Sequence, residues 1–195
     1  MYKFCRVVVV TFLRIMFNYK IYGAENIPKE GGAVIAPNHR SYFDVPFIGI
    51  TAPRPIRYMA KEELFKNPLF AALIKALGAF PVKRGGGDTG AVKTAVSILK
   101  GGDMLMIFPQ GRRVKDGERG KAKPGAVMIA AAANADIIPV HISGKYKFRG
   151  KITIRVGKPM SLAEYYGKKL PSDKLGELSD ELLDRIYSLE EDNNI

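Results

Sequence analysis

The sequence predicts an α/β fold, with a mixed, mostly parallel sheet, helices on both of its faces and an amphipathic helix at the N-terminus. From Lys20 onward, short β-prone runs alternate with runs of helical period, the pattern left by strands joined through crossover helices. The chain has 195 residues and 47% of them are hydrophobic, which suits one domain with a large core and argues against disorder. The first apolar run, residues 2–17, stands apart from this alternation because it is apolar almost all round when wound as a helix.

That run reads YKFCRVVVVTFLRIMF and brings Lys3, Arg6 and Arg14 within an arc of about 80° at 100° per residue. A basic stripe on a greasy rod suits a helix lying in the interface of an anionic membrane. It should not cross the bilayer: sixteen residues reach only about 24 Å, against a hydrocarbon core of roughly 30 Å, and two arginines interrupt them. No small-residue cleavage site follows, so a secretory signal peptide is not expected. The alternatives are a helix packed into the core and a β-branched strand at 7–10. Strands are predicted at 20–23, 33–36, 57–59, 79–83, 104–108, 137–142 and 152–156, and helices at 45–50, 68–77, 88–99, 124–133 and 179–189. The helix from Asp88 has a capping acid and one apolar face formed by Val92, Ala95, Val96 and Leu99. In the short apolar strand before His141, Pro139 disfavours a central ladder position and predicts a strand start or a bulge. The expected division is an interfacial helix at 1–18 and one domain at 19–195.

The net charge is +12, split as +17 up to Met160 and −5 over the last 35 residues. The basic part predicts an anionic partner: nucleic acid, an anionic membrane surface or a phosphorylated substrate. Nucleic acid is disfavoured, since the chain has no tryptophan, only 10% aromatic residues and no basic stretch interleaved with stacking side chains. The acidic tail reads as a solvated helix. A single cysteine, Cys5, excludes an intramolecular disulfide, and no Cys/His cluster has the spacing of a zinc site, so no metal is expected.

The chemistry concentrates where strands end. Asn38-His39-Arg40-Ser41-Tyr42-Phe43-Asp44 links an apolar strand to a helix. Five positions on one helix would point His39 and Asp44 apart, but a turn before the helix lets the carboxylate accept the ring N–H and leaves the other nitrogen as a base. Ser41 and Asp44 are both candidates to cap that helix. Next come Lys83 and Arg84, closing a strand before three glycines, where backbone N–H groups and a helix start would favour an anion. No Gly-Lys-Ser/Thr follows, so this is not a nucleotide P-loop. The third segment, Phe108-Pro109-Gln110-Gly111-Arg112-Arg113, fixes a tight loop that can hold an amide and a guanidinium over the sheet edge. Residues 115–124 continue it as a basic flap. His141 is assigned no role, and no Gly-x-Ser-x-Gly turn offers a serine nucleophile.

In this order, the segments resemble the glycerolipid acyltransferases of the 1-acyl-glycerol-3-phosphate acyltransferase (PlsC-like) family. That family carries His-x4-Asp, Gly-x-Phe-x-x-x-Arg, Phe-Pro-Glu-Gly-Thr-Arg and a short apolar segment with a proline. The counterparts are His39 and Asp44, Gly78 through Arg84, Phe108 through Arg113, and Pro139, so the match runs from about Tyr22 to Val156. Two residues depart from it: Gln110 stands where the family usually has glutamate, and Arg112 where it has threonine.

The resemblance implies an α/β enzyme whose active site faces a membrane. It would move a fatty acyl group from a thioester of coenzyme A or acyl carrier protein to the free hydroxyl of lysophosphatidate, giving phosphatidate in phospholipid biosynthesis without a cofactor. His39 would be the base and Asp44 its orienting carboxylate, with no acyl-enzyme. Arg84, aided by Lys83 and Arg113, would bind the acceptor phosphate, and Gln110 with the Gly111 backbone would position the hydroxyl. The enzyme would sit peripherally on the cytoplasmic face of the cell membrane. Glycerol 3-phosphate or another lysophospholipid is the alternative acceptor. A hydrolase and a non-catalytic binder of anionic membranes are the readings from other classes.

Overall fold

The computed structural model describes residues 2–82, 89–115 and 117–190, apart from the Lys3 side chain. Helix α1 (Tyr2–Met16) runs without a linker into strand β1 (Phe17–Tyr22). There follow β2 (Ala33–Pro37), α2 (Asp44–Thr51), β3 (Ile56–Lys61), α3 (Pro68–Ala76), β4 (Ala79–Val82) and α4 (Thr89–Lys100). The chain continues through β5 (Met104–Met106), α5 (Gly125–Ala133), β6 (Asp136–Gly144), β7 (Gly150–Val156) and α6 (Ser172–Ser188). The seven strands form one sheet in the order β1-β7-β6-β2-β5-β3-β4, parallel throughout except between β6 and β7. The predicted α/β class with its mostly parallel sheet is therefore borne out, and each predicted strand has its counterpart.

Both faces of the sheet are covered, and the two-residue alternation of β2 shows how. Ala33 and Ile35 point into a cluster shared with Leu13 of α1 and with Phe47 and Ile48 of α2. Val34 and Ala36 point into a second cluster with Ala95 of α4, Ala126 and Ala130 of α5, and Leu182 of α6. A strand buried on both faces must be apolar at every position, as β2 is. Helix α3 lies on the α1 and α2 side, because Leu77 at its C-cap lines a cavity with Val9 and Pro46 of those helices. Gly78, just after α3, adopts φ +99°, and a Cβ there would sit 2.6 Å from the Ile56 carbonyl oxygen, so the turn into β4 accepts only glycine.

Four expectations change. Pro139 sits within β6, a central strand, and the ladder explains how. Ile137 donates to Met160 O, so two residues on, the nitrogen of Pro139 faces the same side, where β7 has already ended and only Gly157 N–H reaches back to Pro139 O. Arg6 leaves the surface stripe expected of α1; its guanidinium turns inward and donates to the carbonyls of Ile50 (2.9 Å) and Ala52 (3.1 Å) at the end of α2. Free carbonyls at a helix C-terminus attract a cation, so this arginine ties the two helices together. Helix α6 begins at Ser172, seven residues before the predicted start, where Gly176 blurs the helical pattern. It is also no solvated tail: Leu178, Leu182, Leu183 and Ile186 are buried against the sheet. The predicted capping acid Asp88 lies outside the described residues.

Candidate active site

Helix α2 leaves β2 on one face of the sheet, and α5 leaves the neighbouring β5 on the other. The two connections part over the C-terminal ends of β2 and β5, the place where doubly wound sheets take their ligands. There the loop with His39 and Asp44 packs against the Phe108–Arg113 loop.

Asn38 sets the direction of the first loop. The β2–β6 ladder ends at Pro37 opposite Val140, and the next rung is made by a side chain: Asn38 Nδ2 donates to Ile142 O (2.9 Å) and Oδ1 accepts from Ile142 N–H (2.7 Å). An amide side chain doing the work of the backbone stays buried, and it lets the main chain turn out of the sheet. Arg40 adds a second tether by donating to the carbonyls of Ile142 (3.4 Å) and Gly144 (3.1 Å).

The turn solves the spacing problem. Asp44 N–H donates to Ser41 O (3.3 Å) and Phe43 N–H to Ser41 Oγ (3.2 Å), so Ser41 caps the turn while Asp44 becomes the first helical residue. Pro46, two residues on, occupies a position whose N–H has no partner in the first turn anyway. Asp44 reaches back instead of capping: Oδ2 lies 2.9 Å from His39 Nδ1 and accepts the N–H groups of Arg40 and Ser41 at 2.7 Å each. The Tyr146 hydroxyl donates to Oδ1. The carboxylate is wholly buried, and these donors replace its water. Because a carboxylate only accepts, Nδ1 carries the imidazole proton and Nε2 keeps a lone pair. The ring stacks on Phe108 at 3.7 Å between centroids and 17° between planes, and it retains 14% exposure. A fixed tautomer and a fixed, partly exposed ring are what a general base requires.

The second loop braces the first. Gln110 is buried; its Oε1 accepts from His39 N–H (3.0 Å), and its Nε2 donates to Arg119 O and to Tyr187 Oη, both at 3.1 Å. Val114 N–H donates to His39 O (2.8 Å), so both peptide groups of His39 are held from this loop. Gly111, at φ +67°, forms the turn, with its N–H on Phe108 O (3.0 Å). Arg113 is exposed and lies over the Tyr42 ring, 3.8 Å from its centroid, with Nη2 donating to the Tyr42 hydroxyl (2.9 Å). The basic flap is pinned at Arg119, through Gln110, and at Lys123, whose N–H donates to Pro109 O (2.8 Å). Of the predicted site residues, His39, Asp44, Gln110, Gly111 and Arg113 therefore come together, while Lys83 and Arg84 lie outside the described residues. The exposure of Arg112 explains nothing about why it replaces threonine.

A sequence model of the family described as "Acyltransferase" matches residues 18–143, the span that builds β1 through β6 and both loops of this site. The chain belongs to the acyltransferase family. Among its relatives, the 1-acyl-sn-glycerol-3-phosphate acyltransferase of Bacillus subtilis (strain 168) is 36% identical over 97% of both chains. The enzyme of the same name from Streptococcus pneumoniae is 29% identical, over 98% of this chain and 74% of its own. The crystal structure of the 1-acyl-sn-glycerophosphate (LPA) acyltransferase PlsC from Thermotoga maritima superposes on the whole of this chain and 82% of its own, with a TM-score of 0.72 at 24% identity, and so shares its fold.

Two tyrosines of this acyltransferase escaped the sequence reading. Tyr146 follows β6 in a basic loop and Tyr187 sits on α6, and neither lies in a motif. The usable signal for Tyr146 was topological: its strand neighbours β2, so residues after its end fall beside His39. His141 is no second base. It is buried opposite Arg155 in the β6–β7 ladder, and burial, then the charges of Arg40 and Arg155, push its pKa down to about 4. Burial likewise raises the Tyr187 hydroxyl, which keeps it a neutral partner for Gln110.

Proposed function

We propose that this acyltransferase moves a fatty acyl group from a thioester of coenzyme A or acyl carrier protein to the free hydroxyl of lysophosphatidate, yielding phosphatidate for phospholipid synthesis. The observation that carries the reading is the 2.9 Å contact between His39 Nδ1 and a carboxylate fixed by further donors, beyond the C-terminal end of β2. His39 Nε2 takes the acceptor's hydroxyl proton as the oxygen attacks the thioester carbonyl. The tetrahedral intermediate then expels the thiolate, which receives the proton back from the imidazolium, so an ester and a free thiol result. Asp44 holds the tautomer and offsets the positive charge on the ring. The N–H groups of Arg40 and Ser41 are committed to Asp44, so the oxyanion draws its donors from elsewhere.

The substrate assignment rests on the names of relatives that match nearly the whole chain. The phosphate clamp assigned to Arg84, Lys83 and Arg113 follows the family motif, supported by Arg113 standing beside the His39 loop. Gln110 serves in this reading as a strut, because its amide is already engaged with His39 N–H and Arg119 O, while the Gly111 N–H closes the turn on Phe108 O and its carbonyl is the backbone group left to meet the substrate hydroxyl.

An apolar cavity of about 150 Å³ runs beside α2, lined by Val9, Val45, Pro46, Ile50, Tyr58 and Met106, and would receive the acyl chain near the thioester. Helix α1 presents Phe4, Val7, Val8, Phe12 and Ile15 outward, an apolar stripe suited to a bilayer interface. No helix among the described residues is long and apolar enough to cross a membrane. The test is thiol release from an acyl thioester with lysophosphatidate, glycerol 3-phosphate, another lysophospholipid or no acceptor. Lysophosphatidate should be preferred and phosphatidate recovered. Equal thiol release without acceptor would make the protein a hydrolase, and preference for glycerol 3-phosphate would reassign the substrate.

A further inference from the structure

Helix α3 is built inside out for a soluble protein. Its buried side holds only Ala71 and Ile74, whereas Leu69 (84% exposed), Phe70 (44%) and Leu73 (48%) point away from the core. At 100° per residue Leu69, Leu73 and Phe70 span about 100°, and exposed Ala72 extends the same side, so the outward face carries no charge. Leu64, in the turn before α3, adds a further exposed apolar side chain. Single exposed leucines are ordinary, but several on one short helix mark a contact surface.

Three observations select the contact. Helix α3 lies on the same face of the sheet as α1, and the apolar cavity opens between them, lined by Tyr2 and Val9 of α1 on one side and Leu77, the C-cap of α3, on the other. The outward stripe of α1 is apolar too, so the two helices flank one mouth with the same chemistry. Exposed Lys66 and Lys75 bracket the α3 patch, while of the two nearby acids Glu63 is paired with Lys61 and Glu62 lies on the preceding turn. Apolar side chains between cations on a chain of net charge +12 fit an anionic bilayer.

We infer that α3 is a second membrane foot, seated with α1 in one leaflet so that the acyl cavity opens into lipid between them. The inference rests on the membrane reading above and extends it to a surface that reading does not use. Burying Leu69 and Leu73 in the interface adds affinity that α1 cannot supply alone, and it fixes which face of the enzyme looks at the membrane.

The chain has no tryptophan, so a single introduced one reports its own surroundings. Leu69→Trp and, separately, Val8→Trp are mixed with vesicles of phosphatidylglycerol and phosphatidylcholine, with and without brominated acyl chains. Both should shift to the blue and be quenched by bromine. Leu69→Glu/Leu73→Glu should weaken vesicle partition by at least about tenfold while leaving the thermal melt unchanged. If Val8→Trp enters lipid and Leu69→Trp does not, the second foot is overturned and the membrane reading stands. If neither does, both fall. A Leu69→Trp shift produced by acyl carrier protein or by raised protein concentration, and not by vesicles, overturns the inference in favour of a protein partner.

Discussion

Replacing Asp44 by asparagine removes a charge and almost nothing else. Oδ2 receives three N–H donors, from His39, Arg40 and Ser41, so the amide oxygen must take that place and the NH2 must face the Tyr146 hydroxyl, which can rotate to accept. The ring therefore keeps its orientation and tautomer. What is lost is the attraction between carboxylate and imidazolium, about 4 kcal/mol for unit charges roughly 4 Å apart at an effective dielectric of about 20. That corresponds to about a thousandfold. The imidazolium exists only after the hydroxyl proton has moved, so the loss falls on kcat and leaves the KM for either substrate unchanged. Weaker hydrogen bonds to a neutral group also cost stability, about 1–3 kcal/mol, so the assay is run below the variant's measured melt. Steady-state thiol release at saturating lysophosphatidate gives kcat directly. A kcat within about tenfold of the parent, with the fold intact, would refute the charge argument.

Three further outcomes follow from the geometry. Gln110→Glu sets a carboxylate oxygen where an N–H now meets Arg119 O at 3.1 Å, and should lower stability by about 1–3 kcal/mol; an unchanged denaturant midpoint would contradict the brace. Gly78→Ala forces a Cβ to within 2.6 Å of Ile56 O at φ +99°, so a loss of about 2 kcal/mol or more is expected in the same measurement, and a neutral result would mean that the turn adapts. His141 has a folded pKa of about 4 against the usual 6.5, so the unfolded chain takes up the proton first as pH falls. Its contribution is intact above about 6.5, is lost progressively down to about 4, and amounts to about 3 kcal/mol; His141→Gln should flatten that part of the stability–pH curve, and an unaltered slope would contradict it.

Strands were the most legible part of the fold, because burial on both faces forces continuous apolar runs such as Val34 to Ala36, with turn residues on either side. The site was legible where one loop carries the chemistry, since His39 and Asp44 are five residues apart. It was not legible where partners come from distant strands and helices. Tyr146 and Tyr187 reach Asp44 and Gln110 across separations of 102 and 77 residues, and a local pattern carries no trace of such contacts. Gln110 shows the same limit: its place in the motif suggested contact with substrate, whereas its burial between His39, Arg119 and Tyr187 makes it a strut. Pro139 misled because the rule against proline in a central strand assumes a neighbour on both sides, and at that residue β7 has already ended.

The most direct test compares His39→Ala with the parent in acceptor-dependent thiol release, at equal concentrations of folded protein. Removal of the base should lower kcat by about 10²- to 10⁴-fold while the melting temperature stays near that of the parent. Turnover close to the parent's would mean that this imidazole does not take the acceptor's proton.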